Sequence, residues 1–479
     1  MPAPPGAKKS RAERRLLLKA DLVILPLASL GYLVAYLDRN NLGNAKVMGL
    51  ITDLHLSANQ YYNCLTMLYV GYMIVMLPAN LALRKLKANR AIGTAIVFFG
   101  IIMCCLSTAR TYSVVMALRF LMGTGQAFIQ GLTMYTSLWY RRDELGTRSA
   151  IYYSLATLSG ALGGLIAYGV EVNPHLSYER SGRYSWAWLF LIEGVIAVGV
   201  GLLVIIFLPH TPDDLIDKPK HWLFTHEDIK LGVERQASYN TAEAKFAPIQ
   251  LRNAFLELKT WLFATIQGAN VLGLAVAGNF LPSLIQDFGF SALQTQLFTV
   301  VPYACAFACC ITLGILSDKV NRKAPVIFFT SALAVIGYIM LLSTASKPVG
   351  ITAACLITMS CYTNVVLTPV WLVINTLGYT KRSTVWAFSE VWAMCFSIMA
   401  TRIYTDPPRY IKGHSVVLAL NVLALVDVVL LAVWMHAKNR AKERVLRECE
   451  VRGEVHPHIR DRVSFEDVQD GHVAFRYIL

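Results

Sequence analysis

Charge is scarce in this chain: Asp, Glu, Lys and Arg make up 15% of its 479 residues, against 55% that are hydrophobic. That balance excludes a soluble domain with an ordinary polar surface. There is no GxxxxGKS/T phosphate loop, so a pump driven by nucleotide hydrolysis is not expected. The ten cysteines contain no CxxC pair; nine lie in apolar segments and Cys449 lies in the last stretch, unlike a disulfide framework or a metal knuckle. The ten histidines fall in loops, tails or helix ends such as His436. An intramembrane enzyme, a resident metal and a cofactor are therefore not expected. The first twenty residues are basic and Pro-rich without an apolar core, so no secretory signal is expected either.

What the chain has in abundance is long apolar runs. Twelve recur, at about 22–47, 61–83, 91–109, 112–138, 149–170, 186–208, 260–284, 295–316, 324–343, 350–376, 385–404 and 415–436. Each is long enough to cross about 30 Å of hydrocarbon as a helix. The expected fold class is an all-α membrane protein, with twelve transmembrane helices in two six-helix bundles. The longest polar gap divides six spans from six, giving an N-terminal tail over 1–21, a first bundle over 22–208, a linker over 209–259, a second bundle over 260–437 and a C-terminal tail over 438–479. Two bundles joined by a polar linker are the layout of transporters built from repeats, with the cargo site between the halves near the midplane.

Of the 44 Lys and Arg, 34 fall in the two tails and the loops on the same side of the spans. The positive-inside rule then places both ends and the linker in the cytosol. The same distribution accounts for the net charge of +14 without a nucleic-acid partner, because the basic residues are spread over every loop on that side rather than gathered into a patch. The lipid bilayer is the expected partner. A monomer is expected, since each chain holds its own pathway. Beyond Lys438 the tail is charged and poor in apolar runs, and is expected to be partly helical or disordered.

Two cations interrupt the apolar spans. Arg39 lies about 26 Å up the first helix from Leu22, and Arg119 lies about 10 Å along the fourth from Tyr112, at 1.5 Å per residue. A guanidinium in hydrocarbon needs a polar cavity or a partner. A shared cavity holding both would suit a small organic anion, whose carboxylate matches the planar fork of Arg donors. The competing reading pairs Arg39 with Asp38 and has Arg119 tie helices together, although adjacent residues are poorly aligned unless a third bridges them. Gln126 and Gln130 share the helix face of Arg119 and are candidate cargo contacts. Lys46, on the face of Arg39, is read either as an anion attractor or as a solvated lysine.

Several segments together carry a family resemblance: Tyr36–Lys46 (YLDRNNLGNAK), Arg119–Ala150 (beginning RFLMGTGQAFIQG), Trp186–Gly194 (WAWLFLIEG), Asn375–Ser383 (NTLGYTKRS) and Pro407–Ser415 (PPRYIKGHS). They resemble the fungal allantoate-permease-like branch of the anion:cation symporter family, within the major facilitator superfamily. The resemblance implies the major facilitator fold and proton-coupled uptake of a small organic acid, of which nicotinate, pantothenate, biotin and allantoate are examples, at a plasma membrane. It also implies a cargo role for Arg119. Gly314–Lys323 resembles the superfamily's loop between the eighth and ninth helices, with Asp318 and Arg322 as candidate gating residues and Asn321 where Gly is usual.

One departure matters. Gln126 stands where the family usually has Glu, and an amide cannot carry a proton. Asp38 or Glu390 would then take over coupling; otherwise the protein is an exporter or exchanger without proton coupling, or a nutrient sensor that moves nothing. In the second half Asn270, Asn279, Asn364, Trp371, Asn375 and Trp392 are polar groups inside spans, read as cargo contacts or as glue between helices. Glu193 is read as a structural pair or a gate. Gly160, Gly163 and Gly164 are read as a packing surface for helix movement.

Overall fold

The computed structural model describes residues 10–83, 86–141, 144–176, 178–216, 221–236, 248–287, 289, 292–344, 346–404, 409–461, 463 and 468–479. Among them are twelve helices long and apolar enough to cross a membrane. They are α1 (Arg11–Val47), α2 (Ala58–Ala82), α3 (Ala88–Leu106), α4 (Tyr112–Ile129), α5 (Leu145–Val172) and α6 (Ser185–Phe207) in the first half. The second half contains α7 (Leu258–Asp287), α8 (Ala292–Lys319), α9 (Ala324–Ser343), α10 (Lys347–Ile374), α11 (Tyr379–Ile403) and α12 (Ile411–Val451). The expected fold class of two six-helix bundles is the observed one.

Packing repeats between the halves. Within the first, α1 lies on α5 and α6, α2 on α4, and α3 on α4 and α6; within the second, α7 lies on α11 and α12, α8 on α10, and α9 on α10 and α12. Each of these pairs maps onto its counterpart by adding six. The halves meet along α5 with α8, α2 with α11, α5 with α10 and α1 with α7. The first two of these seams exchange under the same shift, as a pseudo-two-fold relation requires.

Glycine sets the closest approaches, since helices in lipid gain from backbone contact where no side chain intervenes. A Cβ added to Gly123 of α4 would lie 2.0 Å from the Leu68 carbonyl oxygen of α2, and one on Gly71 of α2 would lie 2.1 Å from that of Phe120. Between the halves, a Cβ on Gly314 of α8 would fall 2.3 Å from that of Ala150 on α5.

Apolar runs mark the crossing but not the ends of the helices. α1 begins eleven residues before its run, at a capping box in which Ser10 and Glu13 each satisfy the other's backbone N–H, at 3.1 and 2.8 Å. Its polar first turns lie on the face that carries both ends of the chain, the terminal face. There Lys19 pairs with Asp228 of the linker helix His226–Gln236 at 2.5 Å, and Asp21 pairs with Arg148 of α5. α12 likewise continues past its apolar run to Val451, and the chain then returns beneath the second half. The linker carries helices at Pro212–Leu215, His226–Gln236 and Pro248–Leu256; its stretches 217–220 and 237–247 lie outside the described residues, as do tail residues 1–9.

Gly123→Ala should lower stability by about 1–3 kcal/mol through overpacking against the Leu68 carbonyl. Gly164→Ala, with nothing within 4 Å of the added methyl, should leave it unchanged. Melting curves of the purified protein in detergent decide it; equal melting temperatures would contradict the close α2–α4 crossing.

Candidate functional site

Asp38 and Arg39 are adjacent on α1 but turn to different partners. Arg119 of α4 donates from Nη1 to Asp38 Oδ1 at 2.9 Å, with side-chain exposures of 1% and 0%. Gln126, two turns along α4, donates from Nε2 to the other Asp38 oxygen at 3.0 Å and accepts at Oε1 from Arg39 Nε at 3.1 Å. The amide thus links the ion pair to the second guanidinium and uses both of its ends. A charged carboxylate at 126 would hold Arg39 yet repel Asp38, whereas an amide satisfies both at once.

Arg39 extends from this network towards the second half. Its guanidinium carbon lies 4.8 Å from the Tyr36 ring centroid and 5.7 Å from that of Tyr72. It lines a cleft between the halves, with Tyr36 and Tyr69 on one side and Val271, Leu274, Tyr362 and Ser397 on the other. Among the described residues Arg39 forms no ion pair. Arg119, expected in the same cavity, is not among the residues lining it. The expected shared vestibule for two guanidiniums is thus corrected to one lining arginine and one internally matched arginine. A buried carboxylate on the neighbouring helix neutralises the second.

Glu390 of α11 sits at the seam with α2, where Tyr72 donates to its Oε2 at 3.3 Å and Gln267 of α7 to its Oε1 at 2.7 Å. Tyr72 consequently touches Arg39 with its ring and Glu390 with its hydroxyl. A polar chain runs from α4 through α1 and α2 to α11.

The remaining candidates lie elsewhere. Gln130 accepts from Tyr32 at 3.2 Å and Tyr153 at 3.1 Å inside the first half, joining α1 to α5. Asn270 donates to Thr368 at 3.3 Å, and Asn364 bonds Thr330 at 2.5 Å and Ser331 at 3.0 Å; these contacts bind α7 and α9 to α10. Trp371 and Asn375 both donate to the Ile478 carbonyl, at 2.8 and 2.9 Å, on the terminal face. Trp392 stacks edge-on against Trp261, Asn41 bonds Glu193, and the Asn279 side chain lies outside what is described. None of Gln130, Asn270, Asn364 and Trp371 lines the cleft: the first three meet polar groups of adjacent helices, and Trp371 meets the backbone of the returning tail. Lys46 is exposed, 5.3 Å from the Tyr61 ring.

Asp318 accepts from the Thr147 N–H of α5 at 2.5 Å and from the Lys323 ammonium, so it spans the halves on the terminal face. Arg322 is exposed beside it. Asn321, in place of the usual Gly, adopts φ +52°, a left-handed turn that Asn tolerates better than most residues. On the opposite face Arg402 donates to Asn63 at 3.3 Å.

Tyr69, Tyr72, Gln267, Tyr362 and Ser397 were not singled out from sequence. Tyr69 and Tyr72, three apart on one face of α2, are the local hint.

The family description "Major Facilitator Superfamily" matches residues 28–401. A high-affinity nicotinic acid transporter of Saccharomyces cerevisiae is 28% identical over 475 residues, covering 97% of this chain and 85% of that protein. The MFS-type transporter efuF of Hormonema carpetanum is 31% identical over 439 residues, covering 89% and 86%. Among solved structures, the proton:xylose symporter XylE superposes with a TM-score of 0.68 at 14% identity, over 86% of this chain and 94% of that one.

Arg119→Met alone should destabilise the protein by about 3–5 kcal/mol, because it strands a buried Asp38. The double variant Arg119→Met/Asp38→Leu should recover most of that loss. Thermal unfolding of the four proteins of the cycle measures it, and additive single effects would refute the ion pair as the dominant role of Arg119.

Proposed function

The chain belongs to the Major Facilitator Superfamily and is a membrane transporter, not an enzyme; from that premise we propose that it moves a small organic anion by alternating access, as a member of the allantoate-permease-like branch of the anion:cation symporters. The observation that carries this reading is Arg39, a guanidinium with no ion pair among the described residues, lining the cleft between the halves. A cation so placed favours a carboxylate over a neutral or cationic cargo, because its charge-assisted hydrogen bond strengthens as water leaves. Tyr36, Tyr69 and Tyr362 offer ring faces and edges around it, which suits a flat carboxylic acid of the kind named for the yeast relative.

Arg119, Asp38 and Gln126 act one layer behind the cargo. Their network fixes the position of Arg39. Gln130, Asn270, Asn364 and Trp371 hold the helices that form the cleft walls. Coupling to protons is assigned to Glu390: it bridges the halves, is bonded by neutral donors, and shares Tyr72 with Arg39. A carboxylate that gains or loses its charge there alters a contact between the halves. Asp318, with Arg322 exposed beside it, is assigned to the gate on the terminal face. The distribution of Lys and Arg supports a cytosolic terminal face; the family resemblance is the ground for assigning a plasma membrane, and a pathway contained within one chain is the ground for a monomer. Exchange or export without protons is the second reading, favoured by Gln126, which cannot titrate.

Uptake of labelled carboxylates, nicotinate first, into cells lacking related permeases tests the assignment. Arg39→Ala should cut uptake roughly tenfold to a hundredfold at unchanged surface expression, in line with the loss of a charged hydrogen bond of about 1.5–3 kcal/mol. Full uptake of every anion by that variant would remove Arg39 as the cargo contact. Glu390→Gln should abolish accumulation driven by a proton gradient while counterflow exchange continues; accumulation that persists would remove Glu390 as the coupling group, and a wild-type protein that accumulates nothing in response to the gradient would leave the exchange reading in place.

A further inference from the structure

Residues 468–479 do not trail from α12 but lie in a groove under the second half. Asp470 is buried there, bonded by the ammonium groups of Lys259 on α7 and of Lys381 on α11, the latter 3.0 Å from both oxygens, and by the Leu377 N–H at 3.2 Å. Burial raises the Asp470 carboxyl, but the two ammonium groups outweigh it and hold it well below the usual carboxylate range. The group contributes above the ordinary carboxylate pKa and loses its contribution only as pH falls through the lowered one, so the contact is fully charged at neutral pH.

Side chains of the groove then read the backbone of the segment. Asn439 of α12 both donates to and accepts from Tyr477, each at 2.9 Å. Asn375, which caps the end of α10, does the same with Ile478, at 2.9 and 2.8 Å. Two asparagine amides so placed imitate a neighbouring β-strand, satisfying an extended peptide at consecutive residues. Phe475 and Tyr477 bury their rings beneath the bundle. At the far end, the Lys323 N–H at the start of α9 donates to the Leu479 oxygen at 2.5 Å. The ammonium of the same lysine bonds Asp318, which accepts from Thr147 of the first half. One segment thereby joins the terminal-face ends of α7, α9, α10, α11 and α12, and finishes on the residue that supports the contact between the halves.

We propose that this groove is a docking site for the chain's own segment 468–479, which acts as a strap keeping the terminal face closed and must leave before that face opens. The inference rests on alternating access between the halves, but not on the identity of the cargo. Its occupant is set by the groove's chemistry: an extended peptide with one carboxylate ahead of two ring-bearing residues. Nothing in the apolar spans encodes it.

Cys310 reports the state of the seam. Its sulfur lies 3.8 Å from the Ala150 carbonyl across the α5–α8 contact and is buried. Full-length protein in detergent is treated with a maleimide, and modification is read at Cys310 by mass spectrometry. Asp470→Asn should raise the labelling rate at least tenfold. A chain lacking 468–479 should behave likewise, and a synthetic peptide of 468–479 added to it should restore protection, whereas the same peptide carrying Asp470→Lys should not. A melting transition within a few degrees of wild type identifies variants that remain folded. Labelling within twofold of wild type in the folded, shortened protein, or equal protection by both peptides, would overturn the strap. Because the readout needs no cargo, a failure of organic-anion uptake leaves it unaffected, and its own failure leaves the cargo assignment standing.

Discussion

Charge held out of water has to be answered locally, and the centre of this protein is arranged around that requirement. In a low-dielectric interior an unmatched ion costs several kcal/mol. Asp38 meets Arg119 fully buried, and Gln126 completes both the carboxylate and the neighbouring Arg39. With the anion of α1 already matched, Arg39 has a neutral oxygen and tyrosine rings for company. Its position at the cleft follows from the neutralisation of its neighbour.

That central network depends on how closely the helices come together. Glycines at the α2–α4 crossing bring backbone against backbone, which places Arg119 and Gln126 behind α1 and carries Tyr72 to the seam with α11. The two halves repeat the same packing pairs, so the seams α5–α8 and α2–α11 are counterparts. Different chemistry has been built on them: α2–α11 carries the tyrosine–carboxylate contact near the cleft, while α5–α8 carries a close glycine contact and the Asp318 bridge on the terminal face. The common frame thus carries two chemically unlike seams.

Legibility from sequence differed by kind of residue. Arg39 and Glu390 stand out because an ionisable group inside a span is costly and therefore noticeable. Tyr69, Tyr72 and Tyr362 escaped because tyrosine is common in spans for reasons of packing alone. Asn270, Asn364 and Trp371 illustrate the converse: each looks functional in an apolar run, and each has a polar partner on a neighbouring helix or the returning tail. Gln126 was read mainly for what it cannot do, which is titrate. Its double role as donor and acceptor emerges only when α1 and α4 are side by side.

By itself, the sequence determined twelve crossings, their division into six and six, and the height of each charged group along its helix. Those properties follow from hydrophobic run length and the fixed rise of a helix. Tertiary structure alone decided which guanidinium would be matched, since that depends on the rotation of α1 against α4, and one residue along a helix turns the side chain by about 100°. It also decided the place of the final segment. Asp470 finds Lys259 and Lys381 across separations of 211 and 89 residues, which no local pattern in a polar tail records.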